Sequence, residues 1–325
     1  MHYDVFNGDA DGIIALLQLR LAEPKTAQLV TGVKRDIQLL DTLCLNRQDT
    51  LTVLDISMAS NQQGLANALR VGAQVFYADH HQAGNIPSHS NLDAHIDLDA
   101  ETCTALIIDT LLQRRFHLWA ITAAYGDNLL AKADTLALEA GLSRQQAELL
   151  QELGTLINYN GYGNDVEDLH FHPAALFQQL LAYDDPFAVI ADETSPYYRL
   201  KAAYAVDIAQ AQSLEASYQD NQLSVFILPD TSASRRVSGV YGNWLANRMP
   251  NHAHLVLTVN SRQGYTVSLR APLNNKQGAG ELCSQFASGG GREAAGGINH
   301  LPKASLELFI QSVSTYYQVP TSSQS

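Results

Sequence analysis

The chain has 325 residues, 46% of them hydrophobic and 16% charged, with a formal net charge of −13. This describes a globular protein of about two domains, each large enough for its own core, and it excludes a disordered chain. No apolar run approaches the ~20 residues of a membrane span, and the acidic balance argues against coating long nucleic acid, where affinity comes from Lys and Arg. A short anionic ligand remains compatible, because bound metal would cancel several carboxylates and a few arginines at one site would suffice.

Residues 3–6 read as a strand entered at once, with no basic region or cleavage site before it, and the expectation is a cytoplasmic rather than a secreted protein. Strands follow at 27–30, 51–54 and 75–77, with helices at 13–21 and 61–71. That alternation predicts an α/β fold, a parallel doubly wound sheet whose ligands sit beyond the carboxyl ends of its strands. Residues 102–156 are helical in pattern, interrupted at 125–128 and at Gly141, and 158–163 read as a loop. Residues 169–190 resume as helix, broken by Pro173 and Pro186. A connecting helix is expected within 196–221. A second, smaller mixed-sheet unit opens with a strand at 223–228. It continues with a hairpin of strands at 255–260 and 265–269 and a helix at 278–286. The expected division is a metal-bearing domain at 1–195, the connection at 196–221, a substrate-binding domain at 222–316 and a frayed tail at 317–325. Cys44, Cys103 and Cys283 are far apart in apolar surroundings and read as buried, reduced thiols.

Four acidic clusters follow apolar elements in the first half. Asn7-Gly8-Asp9-Ala10-Asp11-Gly12 matches the opening of an EF-hand loop, but Gln18 stands where that loop needs Glu, and a strand precedes it. Between a strand and a helix, two Asp side chains at i and i+2 can share one cleft and hold two different ions. Asp55 ends the strand at 51–54; alone it would read as a turn residue or cap. Asp79-His80-His81 is more specific, since consecutive side chains point different ways, leaving one imidazole for an ion and the other for substrate. Asp127 follows a helix. Carboxylates at the ends of buried elements are costly unless a cation neutralises them.

The second unit supplies groups suited to phosphate. Gly289-Gly290-Gly291 allows close backbone approach with N–H groups aimed at an anion, and the following Glu293-Ala294-Ala295 favours helix. Arg270 ends a strand, Arg292 follows the glycines, and His300 and Asn299 lie shortly after. Arg235-Arg236, in a Ser/Thr-rich stretch, is a weaker candidate.

In this order the clusters resemble the DHH phosphoesterase superfamily, from Asp4 to about Gly297. Asp9-Ala10-Asp11-Gly12, Asp55, Asp79-His80-His81 and Asp127 match its four N-terminal motifs. Val267-Ser268-Leu269-Arg270 and the run from Gly289 through Arg292 to Gly296 resemble its associated C-terminal domain. The resemblance implies two manganese ions, with magnesium or cobalt as substitutes. Asp9 would hold the first, Asp11, His80 and Asp127 the second, and Asp55 would lie between, with Asp79 as ligand or supporting partner. Such a pair, about 3.5–4 Å apart, activates water and stabilises charge at phosphorus. His81, with Asp79, would meet the phosphate or protonate the leaving oxygen. Three departures stand out: Val5 where many members have His, Asn7 where RecJ-type exonucleases have Asp, and Arg292 where His is common. The first ion would then have fewer charged ligands, or be held by Asn7 and water. Arginine presents a planar fork suited to phosphate or to the O6/N7 edge of guanine.

Within the superfamily, a short two-domain chain resembles nanoRNases and cyclic-dinucleotide phosphodiesterases. The preferred expectation is hydrolysis of short linear oligoribonucleotides, ideally a 5′-phosphorylated dinucleotide such as pGpG, to mononucleotides in a cleft between the lobes. Arg270, Arg292, the three glycines, Asn7 and His300 would bind the substrate. Cyclic-dinucleotide opening is the alternative enzyme reading; pyrophosphatase activity is disfavoured by Val5 and the glycine motif. A catalytically idle nucleotide sensor is the reading from a different class. Oligomeric state is left open, a homodimer included.

Overall fold

A computed structural model describes residues 1–318; the expected frayed tail at 319–325 lies outside the described residues. The chain separates into two compact units, Met1–Ala203 and the part from Tyr204 onward.

The first unit opens with strand β1 (His2–Phe6), helix α1 (Ala10–Ala22), β2 (Gln28–Val30), β3 (Thr50–Leu54), α2 (Gln62–Val71), β4 (Gln74–Asp79) and β5 (Leu92–Ile96). All five strands are parallel, in the order β2-β1-β3-β4-β5. Strand alternation sends neighbouring side chains to opposite faces. Val5 joins a core with Leu65, Ala68 and Leu69 of α2, whereas the Phe6 ring meets Phe177 of a later helix at 5.8 Å. Helices therefore cover both faces, as the doubly wound reading requires. β5 was not foreseen: Leu92-Asp93-Ala94-His95-Ile96 is a half-buried edge strand with little apolar signal.

Helices complete this unit: α3 (Thr104–Leu111), α4 (His117–Gly126), α5 (Leu130–Glu139), α6 (Arg144–Asn160), α7 (Pro173–Leu180), α8 (Pro186–Ala191) and α9 (Pro196–Gln212), whose last residues enter the second unit. Two sequence expectations are corrected here. Residues 158–160 belong to α6 rather than to a loop. Pro173 and Pro186 start α7 and α8 instead of breaking a helix, because the first turn has no use for the missing N–H. α1 is buried almost all round, packed against β1, α3, α4, α6 and α7. Its Arg20 is fastened to Asp4 of β1 and to Thr52 of β3. That buried pair locks the helix to the sheet. Burial alone would push the Asp4 carboxyl up, but the Arg20 and His2 bonds hold it below its usual range.

The second unit contains β6 (Tyr218–Gln219), β7 (Leu223–Leu228), α10 (Ser232–Arg248), β8 (Ala253–Asn260), β9 (Gly264–Arg270), α11 (Ala279–Ser284), β10 (Gly289–Gly291), β11 (Ala295–Pro302) and α12 (Leu306–Gln318). Its mixed sheet runs β10-β11-β9-β8-β7-β6, with only β7 and β8 parallel. The expected β8–β9 hairpin is present. The glycine run is a strand, and the residues after it turn back into β11 where helix was expected, because pairing with β9 overrides the helical preference of Glu293-Ala294-Ala295. The Arg235-Arg236 stretch opens α10, capped by the Thr231 side chain. The connecting helix ends at Gln212, and Tyr218–Gln219 already pairs with β7. Tyr317 and Gln318 belong to α12 rather than to a tail. Cys103 and Cys283 are buried as expected, but Cys44 is exposed.

Candidate metal centre

Strand order reverses between β1 and β3, so the crevice at their carboxyl ends is the switch point at which such sheets place ligands. Asn7, Asp9 and Asp11 follow β1, Asp55 follows β3, and Asp79 ends β4 with His80 and His81 after it. Asp127 caps the C-terminus of α4, which packs against α1.

Each carboxylate is held by its own local device. Asp9 is the N-cap of α1, and its Oδ1 accepts the Gly12 N–H at 3.1 Å. Asp11 accepts two N–H groups at the start of α3, from Thr104 at 2.8 Å and Ala105 at 2.7 Å. Asp55 adopts a left-handed conformation with φ of 58°, which a non-glycine residue keeps only where its surroundings enforce it. Its N–H donates to the Ala78 carbonyl at 3.1 Å, and its Oδ1 accepts the Thr104 hydroxyl at 3.3 Å. The His80 Nδ1–H donates to the Thr102 carbonyl at 2.9 Å, a bond that leaves the Nε2 lone pair toward the carboxylates. Nε2 lies 3.4 Å from Asp55 Oδ1 and 3.5 Å from Asp11 Oδ2. His81 Nδ1 bonds Asp79 Oδ1 at 2.8 Å and lies 3.7 Å from Asp55. Both imidazoles therefore reach Asp55, and one donor atom each from Asp55, His80 and His81 falls within 4.8 Å of the others. Exposure separates their roles: the His80 side chain is 3% exposed and that of His81 31%.

The electrostatics are those of a site in which buried carboxylates outnumber the cations beside them. Burial, followed by the charges of Asp127 and Asp9, pushes the Asp11 carboxyl up to about 6. Burial, then Asp11, Asp9, Asp79 and Asp127, raises Asp55 well above its usual range. Burial also opposes ionisation of Asp79 and Asp9, yet both end below the usual range. His81 and His80 lower Asp79, and the Lys34 charge lowers Asp9. Among the described residues, Asp79 Oδ2 and Asn7 Oδ1 are buried oxygens with no hydrogen-bond partner. Orphaned oxygens beside raised carboxyls, with an imidazole lone pair among them, fit a divalent cation that takes oxygen and nitrogen donors.

Lys34 was missed from the sequence. Its Nζ pairs with Asp9 Oδ2 and donates to Asn158 Oδ1 at 3.3 Å. Burial opposes its charge, but Asp9 and its neighbours raise its pKa overall. The signal was available: Lys34 follows β2, so the rule that singled out the residues after β1, β3 and β4 applies to it too. Thr104 and Asn158 carried no such signal, since chain folding alone brings them here.

In the second unit the candidate residues are dispersed among structural duties. Arg270 Nε donates to Asn243 Oδ1 at 2.6 Å, and its Nη groups donate to the Gly239 and Leu269 carbonyls at 3.2 Å, which fastens β9 to α10. A Cβ on Gly289 would stand 1.8 Å from the Cys283 carbonyl oxygen, and one on Gly291, where φ is 147°, 2.4 Å from that of Ala295. The Gly289 N–H is spent on the Phe286 carbonyl. Two of the three glycines are thus required by packing, and Gly290 alone has open space at that position. Arg292 is half-buried in the turn between β10 and β11, its N–H on the Ala295 carbonyl. His300 sits at the register break in β11, its Nδ1 3.4 Å from Asn260. Arg236 pairs with Asp207 at 2.8 Å, and Arg235 with Asp230.

No protein-family model matches the sequence, and no curated protein sequence matches it. Solved structures do. Exonuclease RecJ bound to manganese is 18% identical, with 98% of this chain and 90% of that chain covered and a TM-score of 0.57. RecJ from Thermus thermophilus in complex with Mn2+ is 16% identical with a TM-score of 0.58, and this chain spans 52% of it. The pGpG-specific phosphodiesterase PggH from Vibrio cholerae is 16% identical, with 97% of this chain and 99% of that chain covered and a TM-score of 0.56. The chain therefore shares the fold of these structures, with its parallel-sheet unit followed by a mixed-sheet unit. Among the described residues no helix is long and apolar enough to cross a membrane.

Proposed function

We propose that the chain is a manganese-dependent phosphodiesterase that cuts short linear oligoribonucleotides, by preference a 5′-phosphorylated dinucleotide such as pGpG, to mononucleotides. The observation that carries this reading is the cluster of Asp9, Asp11, Asp55, Asp79, Asp127 and His80 at the switch point, where buried oxygens stand without partners. The dinucleotide preference is supported by the acidic chain as a whole and by the fold it shares with PggH across nearly both lengths.

Asp11, Asp55, Asp79, His80 and Asp127 are the residues that would hold the cation, with Asp9 and Asn7 beside them. A divalent ion in such a site lowers the pKa of water and stabilises charge developing on phosphorus. The Thr104 and Ala105 amides keep the Asp11 carboxylate oriented, and the Thr102 carbonyl keeps His80 in one tautomer. His81, partly exposed and hydrogen-bonded to Asp79, would hold a proton and deliver it to the leaving oxygen. The second unit's candidate for the terminal phosphate or guanine edge is Arg292; Arg270 is committed to α10.

The deciding experiment is a chelated and manganese-restored assay against di- to pentanucleotides, cyclic dinucleotides and pyrophosphate, with products resolved by chromatography. Manganese-dependent conversion of linear dinucleotides to mononucleotides is the expected result. Binding without turnover would make the chain a sensor, and preferred opening of cyclic dinucleotides would replace the linear substrate.

A further inference from the structure

The first of the two cation positions implied by the DHH resemblance is altered by residues of this chain itself. Val5, where the resemblance calls for histidine, is wholly buried among apolar side chains. Asn7, where RecJ-type members place Asp, offers an unpartnered amide oxygen, but a neutral one, a weaker partner for a hard cation than a carboxylate. Both oxygens of Asp9 are engaged, Oδ1 by the Gly12 N–H and Oδ2 by Lys34. In the second position both Asp11 oxygens also accept hydrogen bonds, but from the neutral N–H groups of Thr104 and Ala105 rather than from an ammonium, and Asp79 Oδ2 has no partner.

Lys34 is no casual visitor from the surface. Its backbone N–H donates to the Gly161 carbonyl at 2.8 Å, and its own carbonyl accepts from Asn7 Nδ2 at 3.3 Å. Its Nζ also bonds Asn158 and stands 5.5 Å from the Tyr162 ring centroid. The loops after β1 and β2 also touch backbone to backbone: a Cβ on Gly8 would lie 1.9 Å from the Gly32 carbonyl oxygen. No residue larger than glycine fits there, so the chain is built to bring this lysine to Asp9. The Lys34 and Asp9 side chains are 24% and 4% exposed. An ammonium seated on a buried carboxylate repels a second cation strongly, because the surroundings screen it poorly.

We infer that the centre is mononuclear, with the Lys34 ammonium standing where the first of two ions would be and one divalent ion held by Asp11, Asp55, Asp79, His80 and Asp127. This rests on the metal-dependent reading above and changes what does the work beside Asp9. A fixed ammonium can neutralise a phosphate oxygen, whereas it cannot lower the pKa of a water as a metal does.

The test is the manganese stoichiometry of the full chain by equilibrium dialysis, with electron paramagnetic resonance of the bound ion. The wild type should bind a single ion with the spectrum of isolated Mn2+. Lys34→Met, which keeps the apolar stem but removes the charge, should admit a second ion and give the spectrum of an exchange-coupled pair. Lys34→Arg, which keeps the charge, should stay with one. Two ions in the wild type would overturn the inference and leave the phosphodiesterase reading intact. One ion in Lys34→Met would also overturn it, and no ion in any form would overturn both. The wild-type count decides the matter even if a variant fails to fold.

Discussion

The two units treat the charged side chains singled out as site candidates in opposite ways. In the first, carboxylates are packed together at the ends of β1, β3 and β4, with buried oxygens left unpartnered and two carboxyls raised by their own crowding. In the second, the arginines read as binding candidates are largely spent inside the fold, Arg270 on Asn243 and Gly239 and Arg236 on Asp207. The same residue types thus carry different meanings. Charge that the fold leaves unsatisfied marks a site prepared for a ligand, while charge satisfied by helix and strand neighbours is architecture.

The most severe way to break this contrast is Asp55→Ala. Asp55 neighbours both imidazoles, so its loss should lower turnover by several orders of magnitude and weaken manganese binding. Near wild-type turnover at saturating manganese would remove the centre from the chemistry. His81→Ala is the next largest. If His81 delivers the proton, turnover should fall roughly 10²–10⁴-fold while manganese affinity changes little. A comparable loss of manganese would make it a ligand instead.

The pH response of stability should differ between the units. The folded chain keeps a proton on Asp11 between its ordinary value of 3.8 and about 6, where the unfolded chain has lost it. Metal-free stability contributed by the first unit therefore falls as pH rises through that window. Manganese should restore it, with a larger rise in Tm at pH 7 than at pH 5. In the second unit burial lowers His254 from 6.5 to about 4. The unfolded chain binds the proton first there, so stability is lost as pH falls through the same region. Scanning calorimetry with and without manganese, together with nuclear magnetic resonance titration of His254, checks both signs; equal metal stabilisation at the two pH values would count against the Asp11 assignment.

The smallest expected effects sharpen the contrast within the second unit. Arg270→Ala should cost about 1.5–3 kcal/mol of stability, the worth of charge-assisted bonds, with little change in catalysis of whatever protein stays folded. Arg292→Ala should weaken dinucleotide binding roughly tenfold, on the scale of one charged hydrogen bond. Reversed results for the two arginines would exchange their roles.

Much of the centre was legible because parallel sheets put their functional residues at strand ends, and apolar strand runs locate those ends by periodicity alone. That is how Asp9, Asp11, Asp55, Asp79 and His80 could be read together from the chain alone. The alternating strand and helix signals likewise determined the doubly wound sheet and the separate mixed one. Local preference misled where long-range pairing outweighed it: Glu293-Ala294-Ala295 favours helix, yet pairing with β9 draws Ala295 and its successors into β11. The glycine run looked like a ligand loop because composition cannot distinguish a backbone that approaches an anion from one that approaches the Cys283 carbonyl.

What only the tertiary structure decided is which charges are already answered. Asp9 and Asp11 are two residues apart and identical in type, yet one lies against Lys34, 25 residues away in sequence, and the other on the amides of Thr104 and Ala105, more than 90 residues away. Spacing records local geometry, whereas ionisation and ligand binding depend on every charge within a few ångströms, whatever its place in the chain.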